Sequence, residues 1–245
     1  MDQSSSFHRK NGLQWPLDIR QVMVWILLSM SCTVFYTYHI STLEKKDRIF
    51  WGILYGLSLF CGVILFVFTT LTEHILPPPT SPDHRHFCVR CKEYVPDTAK
   101  HCRMCNKCRL GFDHHCRFVN NCITISNYQS FFYGLLFLIS ALVIAIVHLV
   151  YTAVKYSSQK EQIFNRMETF FHHKVNAIIF WIFFSLSSLL HLGLFAPLST
   201  LIGFHVFFQR LNISTFNFIL KNYADITPNL KSFCLTPKPK VHGEE

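Results

Sequence analysis

Four apolar stretches, each free of Lys, Arg, Asp and Glu, restrict what this 245-residue chain can fold into. They run from Gln21 to Ile40, from about Ile49 to Leu71, from Phe131 to Val154, and from near Val175 to Gln209. Crossing roughly 30 Å of hydrocarbon takes about 20 helical residues, so each stretch is long enough to span a bilayer. Backbone groups in lipid must satisfy one another, which makes helices the economical reading of all four. A cleavable signal sequence competes for the first stretch, since Arg9, Lys10 and Arg20 precede it. The apolar run exceeds the roughly 7–15 residues of such a segment, and no small-residue cleavage site follows it. The last stretch is longer than a bilayer requires, and Pro197 is where it is expected to bend.

Half of the residues are hydrophobic and only 15% are charged, which excludes disorder and argues against a wholly soluble domain. The net charge of +9 would suit a nucleic-acid ligand, but the basic residues crowd the flanks of the apolar stretches. That distribution orients a multi-spanning membrane protein, so the expected partner is membrane lipid and not nucleic acid. Of the 23 Lys and Arg, 16 fall in the amino-terminal arm, the loop between the second and third stretches, and the tail. The positive-inside rule places these three in the cytosol, the compartment in which thiols and zinc thiolates stay reduced. The expected fold is therefore all-α integral membrane, with four transmembrane helices and a cytosolic two-zinc cysteine-rich domain between helices 2 and 3. Its divisions are an arm at 1–20, helices 1 and 2 in 21–71, the cysteine-rich domain at 72–128, helices 3 and 4 in 129–208, and a tail at 209–245. No internal repeat is apparent.

Seven of the ten cysteines fall between Cys88 and Cys122 and are mixed with His101, His114 and His115. Cys88 and Cys91 form one C-x2-C pair, and Cys102, Cys105 and Cys108 overlap as two more. Such a pair turns two thiolates onto one ion at about 2.3 Å, and zinc takes four S or N ligands. Ten candidates for two four-coordinate ions leave two over. The loop has few apolar residues with which to build a core, so metal binding would supply its folding energy.

Asp113-His114-His115-Cys116, with the Cys and His spacings around it, resembles the DHHC-type protein S-acyltransferases, or palmitoyltransferases. The motif similarity covers roughly Phe87 to Phe131, and helices two and two about the loop extend it over most of the chain. The resemblance implies one structural zinc on Cys88, Cys91, His101 and Cys108, and a second on Cys102, Cys105, His115 and Cys122. His114 and Cys116 are then the two left over. It further implies that Cys116 attacks the thioester of palmitoyl-CoA or a similar acyl-CoA, becomes acylated, and passes the chain to a protein with a membrane-proximal cysteine. A free thiol is only a few per cent thiolate at neutral pH, so an adjacent base is useful: His114 would move the proton and Asp113 would orient His114. The acyl chain would lie among the four helices. The family also implies residence in the endoplasmic reticulum or Golgi, with the active site facing the cytosol.

Some family features are altered. Arg117-Phe118 stands where many members have Pro-Trp, Pro77-Pro78-Pro79 where Asp-Pro-Gly is expected, and Ser214-Thr215-Phe216-Asn217 where Thr-Thr-x-Glu is expected. Asn127 and Phe131 fit the family's Asn-x3-Phe, and Asn222 could stand for the asparagine of its tail motif. A catalytically weak zinc-bearing membrane adaptor is the alternative these changes leave open; a membrane ubiquitin ligase lacks support in the ligand spacing. His148, His191 and His205 read as hydrogen-bonded interior histidines, Cys32 and Cys61 as packing groups, and Cys234 as an exposed spectator. Arg85, Arg90, Lys92, Lys100, Arg103, Lys107 and Arg109 suit CoA phosphates or anionic headgroups as well as they suit water.

Overall fold

The computed structural model describes residues 7–77 and 85–226, the side chains of 221–226 excepted. Pro78, Pro79, Cys234 and the side chain of Asn222 lie outside the described residues. Among the described residues, four helices are long and apolar enough to cross a membrane: α1 (Ile19–Thr42), α2 (Lys45–Leu71), α3 (Tyr128–Phe171) and α4 (Ala177–Arg210). A fifth, α5 (Thr215–Ile226), comes after them. Between α2 and α3 the chain forms three antiparallel hairpins: β1 (Arg85–Cys88) with β2 (Glu93–Pro96), β3 (Ala99–Cys102) with β4 (Lys107–Leu110), and β5 (Phe112–Cys116) with β6 (Asn121–Thr124).

Local signals set the helix ends. Asp18 caps α1 by accepting from Arg20 N–H at 2.9 Å, and Asn176 caps α4 by accepting from Ile179 N–H at 2.8 Å. At the other end of α1, Arg48 donates to Leu43 O and Ser41 O while Arg166 donates to Thr42 O. These two side chains satisfy carbonyls that a helix terminus leaves open. The helix α4 continues through Pro197, where a bend was expected, and the Ser199 and Thr200 hydroxyls both donate to Ala196 O in that turn. The third span was expected to end at Val154, but α3 runs on to Phe171 with a break at Gln159 (φ −130°, ψ 24°). Beyond it, Ile163 and Met167 bury against Tyr38, Leu149 and Phe180, and this packing keeps the extension helical.

The bundle packs most extensively between α2 and α3. Gly62 permits this approach, since a Cβ there would lie 2.8 Å from Leu138 Cδ2. Large apolar side chains such as Ile26, Met30, Leu57 and Leu189 face outward, as lipid contact requires. Inside runs a belt of hydrogen bonds joining all four helices. His39 Nδ1 lies 3.1 Å from His148 Nδ1, and its Nε2 lies 2.8 Å from Ser187 Oγ. His191 donates from Nδ1 to Ser187 O at 2.8 Å, and its Nε2 lies 3.2 Å from Ser31 Oγ, which bonds Tyr55 Oη at 2.8 Å. His39, fully buried in this belt, closes a π-helical turn, Phe35–His39, within α1. His148 and His191 are thus interior histidines satisfied by hydrogen bonds, as an apolar medium demands.

The hairpins correct the reading that the chain has no repeat. Cys88 pairs with Glu93, Cys102 with Lys107 and Cys116 with Asn121, each across an equal turn. The residues before the returning strands, Lys92, Asn106 and Asn120, all have φ between 51° and 56°. Two of the three are Asn, a residue that tolerates this region. Only turn and ligand positions recur, which is why sequence similarity did not reveal the unit.

Candidate functional site

Each C-x2-C turn points its thiols at the next hairpin. Cys88 and Cys91 of the first meet His101 and Cys108, which face each other across the second. The donor atoms of these four lie within 4.8 Å of one another, with Cys91 Sγ 3.3 Å from His101 Nδ1 and 3.6 Å from Cys108 Sγ. Cys102 and Cys105 of the second hairpin meet His115 and Cys122, cross-strand partners in the third. Here Cys105 Sγ lies 3.4 Å from both His115 Nδ1 and Cys122 Sγ. The edge of a tetrahedron with arms of about 2.3 Å is about 3.8 Å, so both sets fit a tetrahedral ion with thiolate and imidazole preference. All nine described cysteines are free thiols. These are the two sets that the family resemblance implies.

In the third hairpin the pattern stops. Cys116 stands where Cys88 and Cys102 stand, but Val119 replaces the second cysteine, and the next element is α3. Cys116 therefore packs into an apolar cluster with Phe66, Val119, Ile123, Phe131, Leu135 and Leu138. Partly buried Trp25, Leu28, Leu59, Leu198 and Leu201 pack against it, so all four membrane helices reach the cluster.

His114 Nδ1 hydrogen-bonds Asp113 Oδ2 at 2.7 Å, and the neighbouring Cys116 sulfur also favours the charged imidazole. Burial alone would lower the imidazole's pKa, but these two partners outweigh it and hold it up at about 9. Asp113 accepts a second hydrogen bond, from Thr215 N–H at 2.9 Å. Burial works to raise its pKa, yet His114 and the Thr215 amide together keep it below the usual carboxylate value. The altered Ser214-Thr215-Phe216-Asn217 segment thus still serves Asp113, because the donor is a backbone amide. Asn217 itself is exposed, and its N–H donates to Ser214 Oγ at 3.2 Å.

Several residues that hold this loop carry no sequence signal of their own. Asn121 donates to Thr69, Thr70 and Thr72 carbonyls at the end of α2. Asn120 donates to Gly12 O and Pro16 O of the amino-terminal arm. Gly12 is wedged so tightly that a Cβ would lie 2.0 Å from Val119 O. Arg109, expected among the solvated or phosphate-facing basic residues, is buried and donates to His74 O at 2.8 Å and Arg9 O at 3.0 Å. His74 lies just beyond α2, near where Asp-Pro-Gly was expected; its Nε2 bonds Cys122 O at 3.0 Å and its Nδ1 lies 3.1 Å from Thr124 Oγ1. Burial, then the Arg109 charge, lowers His74 to about 4, so the ring is neutral and Nε2–H donates. These contacts join residues 35 to 108 positions apart, beyond any motif. Arg90, Lys92, Arg103, Arg117 and Phe118 remain on the surface.

The family model for the DHHC palmitoyltransferases matches residues 81–222. The chain belongs to this family. Among DHHC relatives, it is 28% identical over 246 residues to Palmitoyltransferase ZDHHC11 of Homo sapiens, covering 87% of this chain and 60% of that protein. It is also 28% identical over 149 residues to Probable protein S-acyltransferase 16 of Arabidopsis thaliana, covering 57% and 48% respectively. The chain thus spans between about half and two thirds of the length of these DHHC relatives.

Proposed function

We propose that this chain is a protein S-acyltransferase that moves a fatty acyl group, palmitoyl or similar, from acyl-CoA to protein cysteine through an acyl-Cys116 intermediate. The observation that carries the reading is His114, hydrogen-bonded to Asp113 and neighbouring the Cys116 sulfur, beside an apolar cluster to which all four membrane helices contribute. In the first half-reaction His114 accepts the Cys116 proton and the thiolate attacks the thioester carbonyl. The carbon–sulfur bond to CoA breaks, and His114 returns the proton to the CoA thiolate. In the second, His114 takes the proton of an incoming protein thiol, which attacks acyl-Cys116. Cys116 leaves as thiolate and regains the proton, so neither half needs a further acid or base. Asp113 orients His114 and stabilises its charged form.

Cys88, Cys91, His101 and Cys108, and separately Cys102, Cys105, His115 and Cys122, would hold two structural zinc ions. Zinc there supplies folding energy and fixes β5, the strand that carries Cys116. Residues 72–128 would face the cytosol of an endoplasmic reticulum or Golgi membrane, where the exposed Arg90, Lys92 and Arg117 suit CoA phosphates. The acyl chain would lie along the apolar cluster beneath Cys116. Purified protein given clickable palmitoyl-CoA should gain a hydroxylamine-labile label at Cys116. A folded, metal-loaded chain that takes no label would overturn the reading in favour of a membrane adaptor.

A further inference from the structure

We infer that His205 is a positioning residue for His114, a role that rests on the acyl-transfer reading. The Asp113 bond fixes His114 at Nδ1, and a ring held by its Cβ and that one hydrogen bond can still tilt, which would swing its far nitrogen off the Cys116 sulfur. What stops the swing is a box of rings. His205 of α4 lies 5.5 Å from His114 between centroids, its ring tilted by 34° to that of His114. Phe131 of α3 stands 5.7 Å away at 71°.

His205 is itself held. It is 3% exposed, its Nδ1 lies 3.0 Å from Tyr128 Oη, and Phe131 stands 5.1 Å from it at 75°. Tyr128 and Phe131 are three residues apart on the first turn of α3 and so share a face. A phenylalanine at 205 would fill the same space, but it would offer Tyr128 no acceptor or donor. The tether sets the plane against which His114 rests, and that is the reason for a histidine in this apolar setting. His114 must present one nitrogen beside Cys116 in both half-reactions, first to the Cys116 thiol and then to the thiol that attacks acyl-Cys116. A misplacement of about 1 Å can cost about 100-fold in rate.

The test measures Cys116 self-acylation in the purified full chain as a function of clickable palmitoyl-CoA concentration. His205→Ala should lower kcat about tenfold, leave the apparent KM within about twofold, and retain the metal content of the wild type. Tyr128→Phe and His205→Phe should each cost about threefold, and the double variant no more than the slower single, since both changes remove one bond. A wild-type kcat in His205→Ala, a loss confined to KM, or multiplying effects in the double variant would overturn the inference. Should His205→Ala fail to fold, wild-type rates in both tether variants overturn it equally. A wild type without label, by contrast, ends the acyl-transfer reading itself.

Discussion

In the second hairpin Cys102 and Cys105 turn toward His115 and Cys122 of the third; in the third, Cys116 is accompanied by Val119, and the element beyond it is the membrane helix α3. The backbone plan is the same, down to the residue with positive φ before the returning strand. One thiol is surrounded by three other ligands, and the other by phenylalanine, leucine and a hydrogen-bonded histidine. On the proposed reading a cysteine in this turn is thus a ligand or a nucleophile according to what the next element brings. A single ion needs four donors, and α3 brings none. The first cluster lies one hairpin further from Cys116, so the two candidate metal clusters, alike in composition, would be unequal in their bearing on the proposed reaction.

The largest effect that tests this contrast is expected for Cys116→Ser, which should abolish the hydroxylamine-labile label while about two metal ions per chain remain bound. Loss of metal in that variant would mean that Cys116 is a ligand after all. Next come the clusters. Cys105→Ser should release about one ion and reduce label by about 100-fold or more, because His115 sits on the strand that displays Cys116. Cys88→Ser should also release about one ion but cost about tenfold. Equal losses of label would erase the distinction between the clusters.

Val119→Cys completes a third C-x2-C turn and sharpens the comparison. The new thiol competes for protons and metal beside Cys116, so label should fall about threefold or more, further than in Val119→Ala. If Val119→Cys matches the wild type in metal content and label, the valine is not what keeps Cys116 free. The smallest change is expected for Asn217→Glu, which restores the family's carboxylate at an exposed position. Self-acylation there should stay within about twofold. A large gain would show that Asp113 needs more than the Thr215 amide.

Much of the architecture was legible from the sequence. Apolar length fixed the four spans, and the division of ten Cys and His into eight and two came from valence, with the family motif naming the sets that the structure brings together. Other features were not legible. The extension of α3 carries Lys155, Lys160, Glu161 and Arg166, so hydropathy ended the span before it, while much of the cover of Ile163 and Met167 comes from α1 and α4. Arg109 read as one more loop cation, because nothing local shows that two carbonyls, from His74 and Arg9, converge on it. His205 read as an interior histidine, since its neighbours His114 and Tyr128 lie in other elements.

By itself the sequence determined where the chain is apolar enough to enter lipid and which side chains have the chemistry to hold metal or attack a thioester. Those properties belong to single residues and to short spacings, and they survive without knowledge of the fold. The tertiary structure decided which elements surround Cys116, how Asp113 meets His114 and which rings pack around that imidazole. Such outcomes depend on distances of a few ångströms between segments about 100 residues apart, which only the packing of helices against hairpins sets.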